Sequence, residues 1–270
     1  KPLQSGVRDL DSILSGFFPG ELTIIGARPG AGKSAIAMTV ALNAAKQGKN
    51  VAFCSLEMAP AQFGQRILST QSGVNGLRMR RADVDADEWA AIVQAVSELE
   101  KLKTGFAFTV NTIEDLEGAV QEFQDEDKID LLIVDYIQLM NSKKKHESER
   151  LKVGYVSWAL KQMALQYSIP VITLAQLKRP EGGYQGMPTM KDLRESGNLE
   201  ADADGIILMH QSSSKTDKTV HPDDRNAFEV WEDKGLKYIV LKVEKQRMGW
   251  TGMTSVLFDG AHMKYIGIER

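Results

Sequence analysis

The chain has 270 residues, 43% of them hydrophobic and 26% charged, which suits one large globular domain or two small ones with ample apolar material for a core. A net charge of −3 argues against wholesale coating by nucleic acid, although a local basic channel remains compatible with it. No apolar run approaches the roughly 20 residues needed to span a bilayer.

No secretory signal is recognisable at Lys1-Pro2-Leu3, and with a first residue other than Met a processed or excised piece of a longer chain is expected. The lone Cys54 lies in an apolar run and cannot form an internal disulfide, so a buried, inert thiol is expected, with cytoplasmic residence as the default.

Residues 1–20 form a linker and helix segment, with Leu10, Ile13 and Leu14 at helical spacing and a Pro19-Gly20 turn at its close. An apolar strand at 22–25 leads into Ala27-Arg28-Pro29-Gly30-Ala31-Gly32-Lys33-Ser34, and a helical pattern follows over 35–45. Strand, glycine-containing loop, helix is the context of a phosphate-binding loop. Glycines let successive backbone N–H groups turn toward a polyphosphate, and the helix start adds partial positive charge. Lys33 can reach the β- and γ-phosphates, and the Ser34 hydroxyl can ligate Mg²⁺. Ala27 stands where the common pattern has Gly, and Gly26 comes one residue too early. The bland alternative is an ordinary strand-to-helix turn; the reading taken is a nucleoside triphosphate site.

A strand at 51–55 runs into Leu56-Glu57-Met58, and a helix follows over 60–72. Asp85 and Glu88 are spaced as a capping box, opening a helix whose Trp89, Ile92, Val93, Val96, Leu99 and Leu102 are expected to pack in the core. A short strand is expected at 106–110, then a helix capped by Thr112 with Ile113, Leu116, Val120 and Phe123. Residues 129–135 read as a strand covered on both faces and ending in Asp135. The next helix should turn Leu151, Val156, Leu160, Met163, Ala164 and Tyr167 inward, and a further buried strand over 170–176 ends in Gln176.

Residues 179–191 form a Gly- and Pro-rich loop, and a strand is expected at 205–209. By composition 211–235 is the least structured stretch and is expected to be a flexible surface loop. The chain ends in a predicted β-hairpin, with strands at 238–243 and 253–258, a loop over 244–250, and a last short strand near Lys264.

Strands alternating with helices predict a single α/β domain over 1–270, a doubly wound, mostly parallel sheet flanked by helices with a C-terminal hairpin. Ligands in such sheets bind beyond the carboxyl ends of the strands. That rule gathers Glu57, Asp135 and Gln176 around the phosphate loop. Hydrolysis of a γ-phosphate needs a base for water, an anion for Mg²⁺ and donors for developing charge. Glu57 suits the base, Asp135 the metal, and Gln176 could report the γ-phosphate. Asp130, at the start of its strand, lies on the wrong edge and is expected to be structural.

These segments resemble the ATPase domain of the DnaB family of replicative helicases, a RecA-like P-loop NTPase fold. The matches are residues 27–34, Ser-Leu-Glu-Met at 55–58, Ile-Val-Asp-Tyr-Ile-Gln-Leu-Met at 133–140, Ala-Gln-Leu at 175–177, Asp-Leu-Arg-Glu-Ser-Gly at 192–197 and Lys-Gln-Arg at 245–247. They occur in family order and cover essentially the whole chain. The family commonly opens its phosphate loop with Ala, which accounts for Ala27. The resemblance implies Glu57 as catalytic base, Asp135 as magnesium-supporting carboxylate and Gln176 as γ-phosphate sensor. It implies that Lys245 and Arg247 act in trans, in the ATP site of a neighbouring subunit; on residue type alone they could be a solvated hairpin tip. The family usually has Asn after that triplet, where this chain has Met248. Arg194, Glu195 and Gly197 match the loop that grips phosphates of single-stranded DNA; on residue type alone the lesser alternative is a local ion pair of Arg194 and Glu195. Lys178 and Arg179 are weaker candidates for the same channel.

The resemblance further implies a homo-hexameric ring with ATP sites at subunit interfaces, using ATP and Mg²⁺ to translocate on single-stranded DNA and unwind duplex. A helical amino-terminal domain, through which such helicases contact primase and possible loaders, lies outside this sequence. The alternatives are a RecA- or KaiC-like ATPase and a slowly hydrolysing, nucleotide-gated DNA-binding or loader module.

Overall fold

A computed structural model describes residues 2–102, 104–107, 110–178, 186–193 and 196–268. In chain order the elements are α1 (Arg8–Leu14), β1 (Leu22–Ala27), α2 (Lys33–Lys46), β2 (Val51–Ser55), α3 (Pro60–Ser72), α4 (Gly76–Arg80), α5 (Ala86–Leu99) and β3 (Thr104–Ala107). Then come α6 (Ile113–Glu126), β4 (Leu131–Asp135), α7 (Glu149–Tyr167), β5 (Val171–Gln176), α8 (Ser196–Asp202), β6 (Gly205–Gln211), α9 (Phe228–Asp233), β7 (Leu236–Gln246), β8 (Gly252–Asp259) and β9 (Lys264–Gly267).

Among the described residues the strands form one sheet in the order β3-β2-β4-β5-β1-β6-β7-β8-β9. The strands from β3 to β6 run parallel, and β7, β8 and β9 extend the sheet antiparallel. Every residue of β1, β2 and β4 is buried, because helices cover both faces of the parallel part. One face packs Leu10 of α1, Ile36 and Val40 of α2 and Phe63 of α3. The other packs Leu116 of α6, Val156 and Leu160 of α7 and Leu199 of α8. This is the doubly wound arrangement expected from the alternating pattern.

Chain reversal between β6 and β7 decides where the last functional residues go. Parallel strands present their carboxyl ends at one edge; β7 runs the other way. Lys237, at its start, therefore lies at the same edge as the phosphate loop. Its far end pairs Gln246 with Gly205, which itself pairs with Thr23 at the start of β1.

Several expectations need correction. Trp89, Val93 and Val96 of α5 are exposed, and the helix buries Ile92 and Ala95 instead, because it packs on α3 along a narrower stripe than its apolar content suggests. Leu151, expected inward, is exposed at the first turn of α7. Residues 211–235 are folded: they carry α9 and a 3₁₀ turn at Pro222–Asp224, and they build a satellite core. There Val220 and Phe228 pack with Tyr238, whose hydroxyl donates to Asp224. Finally, β7 is longer than the predicted strand, so Lys245 lies within it rather than in a hairpin loop. The strand expected at 106–110 is β3, which begins earlier, and residues 108 and 109 lie outside the described set.

Candidate active site

The turn after β1 builds its cradle from two left-handed glycines, Gly30 at φ +83° and Gly32 at φ +87°. L side chains are disfavoured there. Nothing lies within 4 Å of a Cβ added at Gly30, whereas one at Gly32 would stand 2.4 Å from the Tyr265 hydroxyl. That hydroxyl donates to the Gly32 carbonyl at 2.9 Å and holds the loop from behind; burial pushes the Tyr265 phenol up. Ala27 and Ala31 are buried, Pro29 and Gly30 are exposed, and Arg28 donates to the Gly186 carbonyl at 3.0 Å. Lys33 and Ser34 open α2, whose first-turn N–H groups face the cradle without intrahelical acceptors.

Lys33 joins the strand ends. Its ammonium lies 3.1 Å from Asp135 Oδ1 and 3.9 Å from Glu57 Oε2, and 4.0 Å over the Tyr136 ring centroid. Asp135 is fully buried, while the Glu57 side chain is 52% exposed and so can meet water. Gln176 lines the same hollow of about 380 Å³, together with Arg28, Lys33, Ser34, Glu57 and Phe258. Its backbone is gripped by the Gln138 side chain, which accepts from its N–H and donates to its carbonyl, both at 3.1 Å. The predicted convergence of Glu57, Asp135 and Gln176 on Lys33 is therefore what the structure contains.

The donor set suits a divalent cation. Asp135 Oδ2 and the neighbouring Ser55 Oγ are buried without a hydrogen-bond partner among the described residues. A hard cation takes oxygen ligands of this kind, and the Ser34 hydroxyl stands at the adjoining helix start. Cys54, one residue before Ser55, is inert here: burial, then the Asp135 charge, push its thiol up to about 12.

Arg66 on α3 and Lys237 on β7 also line the hollow, and sequence reading missed both. Arg66 lies between core residues Phe63 and Ile67 on its helix, and Lys237 begins an amphipathic strand. Neither position carries a motif; only tertiary placement finds them. Asp130, by contrast, fulfils its structural expectation, accepting from the Asn50 N–H at 3.0 Å and pairing with Lys49 at 3.1 Å.

Lys245 and Arg247 stand away from this hollow, at the opposite sheet edge. Lys245 Nζ donates to the carbonyls of Glu200 and Ala203, at 2.6 and 2.7 Å. Burial, then the nearby Arg247, hold its pKa below the ordinary lysine range. Arg247 donates to the Ala201 carbonyl at 2.9 Å and pairs with Asp204 at 3.1 Å. Gly197 is exposed in the first turn of α8, and Lys178 is exposed beyond β5. Arg179, Arg194 and Glu195 lie outside the described residues.

Residues 2–266 match the family of the DnaB-like helicase C terminal domain. The chain belongs to that family. A replicative DNA helicase DnaB from Leifsonia xyli is 33% identical over 264 residues, covering 97% of this chain and 55% of that protein. The chain thus spans about half the length of the curated relatives it matches. Among solved structures, one ATPase domain superposes with a TM-score of 0.83 at 25% identity, over 100% of this chain and 92% of that one. A DnaB-like replicative helicase, studied with its interactions with primase, superposes at 0.85 and 24% identity, covering 100% and 62%. The RecA-like P-loop fold is what these domains share with this DnaB-family chain.

Proposed function

We propose that this DnaB-family chain is the motor domain of a replicative DNA helicase, which hydrolyses ATP to translocate on single-stranded DNA and unwind duplex as a homo-hexameric ring in the cytoplasm. The observation that carries this reading is Lys33, set over the glycine cradle between Asp135 and Glu57. Lys33 and the loop N–H groups hold the triphosphate. Glu57 takes a proton from the attacking water, and Gln176 senses the γ-phosphate. Ser34 and Asp135 would hold Mg²⁺, which would offset charge on the phosphates.

Among the described residues the arginines that line the hollow are Arg28, which donates to the Gly186 carbonyl, and Arg66, which comes from α3. Lys245 and Arg247 stand at the opposite edge, where the Arg247 side chain is half exposed, which fits their use in an adjacent subunit's site. Arg194, Glu195 and Gly197 would hold phosphates of single-stranded DNA without reading bases. Contacts with primase and a helicase loader would run through parts of the protein outside this chain.

The test is ATP turnover with and without single-stranded DNA. Lys33→Ala should abolish turnover, and Arg247→Ala should do so without preventing nucleotide binding. Normal hydrolysis by Arg247→Ala would overturn the assignment in trans.

A further inference from the structure

Arg247 is tied to one residue in more than one way. Its backbone N–H donates to the Asp204 carbonyl at 2.9 Å, and its guanidinium pairs with Asp204 Oδ1 at 3.1 Å. A second guanidinium nitrogen donates to the Ala201 carbonyl at the end of α8. Two fixed donors set the plane of an arginine and leave its remaining N–H groups pointing away from the clamp. The Arg247 side chain is 50% exposed, so those groups are presented to whatever approaches.

Asp204 divides its labour by atom. Its Oδ2 accepts from the Leu22 N–H at 2.8 Å and from Lys161 at 2.7 Å. These bonds fasten the start of β1 to α7, and they would suffice for a buried structural carboxylate. Its Oδ1 is turned to Arg247. The Asp204 side chain is only 7% exposed, so its position is set by the fold rather than by solvent.

We propose that Asp204 is a positioning residue, which holds Arg247 in the orientation required to meet the triphosphate of the adjoining subunit. The proposal rests on the reading that Arg247 acts in trans. Preorganisation matters because a misplacement of about 1 Å can cost on the order of 100-fold in rate. The same clamp anchors the finger to α8, in whose first turn Gly197 lies.

The experiment compares DNA-stimulated ATP turnover in Asp204→Asn, Lys161→Met, the double variant Asp204→Asn with Lys161→Met, and Arg247→Ala, with a thermal melt for each. Asp204→Asn should lower kcat by about 100-fold with KM for ATP unchanged. Adding Arg247→Ala to it should lower kcat no further than Arg247→Ala alone. Lys161→Met should lower the melting temperature and spare kcat. If Asp204→Asn alone is too unstable to assay, the double variant removes the ammonium left unpaired in the interior. A positioning role then predicts recovered folding with kcat still low. Recovered kcat in the double variant, or a kcat for Asp204→Asn equal to or above wild type while Arg247→Ala is dead, overturns the proposal and leaves the trans assignment standing. Full turnover by Arg247→Ala removes both.

Discussion

Lys33 lies between a buried carboxylate and a half-exposed one, and the difference in exposure matches the separate work proposed for them. Asp135 is shielded and fixed, as a metal-supporting anion should be. Glu57 reaches water, as a base must. Glu57→Gln keeps the shape and the amide oxygen but cannot take a proton. It should lower kcat by about 10²- to 10⁴-fold and leave nucleotide affinity nearly unchanged. Turnover assays beside fluorescent-nucleotide titration check this; near-normal turnover would place the base elsewhere. At this scale Glu57, Asp135 and Gln176 were legible because each ends a run that reads as an inner strand, and strand ends of a doubly wound sheet share one edge. Arg66 and Lys237 were not, since each reaches the site from an element whose own pattern says nothing about it.

At the scale of elements, pattern and packing disagree most on α5. Its sequence carries apolar residues around more than one face, so periodicity alone cannot pick the buried stripe. The partner helix α3 picks it: Ile92 is 8% exposed and Val93 is 53% exposed. Ile92→Ala should therefore destabilise by about 2 kcal/mol or more, from lost burial and the cavity left. Val93→Ala should stay within about 0.5 kcal/mol. Denaturant melts of the two variants decide it, and equal losses would mean that both residues pack. The folded 211–235 segment escaped sequence reading for the complementary reason. Its polar composition hides Val220 and Phe228, which find their apolar partners in Tyr238 and Val240 of β7 and Leu257 of β8. By contrast β1, β2, β4 and β5 were legible nearly to the residue, because burial on both faces leaves unbroken apolar runs.

For the whole molecule, sheet direction governs what one copy can do. Gly205 pairs with both Thr23 and Gln246, so the Lys245–Arg247 end of β7 sits level with the start of β1. Ala27, where the phosphate loop begins, is four residues on, or about 13 Å along the strand. Arg247 is further fastened at that edge by Asp204 and α8. On the proposed reading, a copy that holds its base and its finger at opposite edges completes its site head to tail with another, and a heterologous contact closes into a ring where its rotation closes and into an open filament where it does not. Turnover per subunit should accordingly rise with protein concentration. Mixing gives the sharper test. Lys33→Ala protein has a dead cradle but an intact finger, and Arg247→Ala protein has the reverse; each alone should be inactive. Mixed in equal amounts and allowed to exchange subunits, they should recover about a quarter of wild-type turnover if sites act independently, the chance that an intact cradle meets an intact finger. A mixture as inactive as its components, despite demonstrated subunit exchange, would mean that the finger serves its own chain.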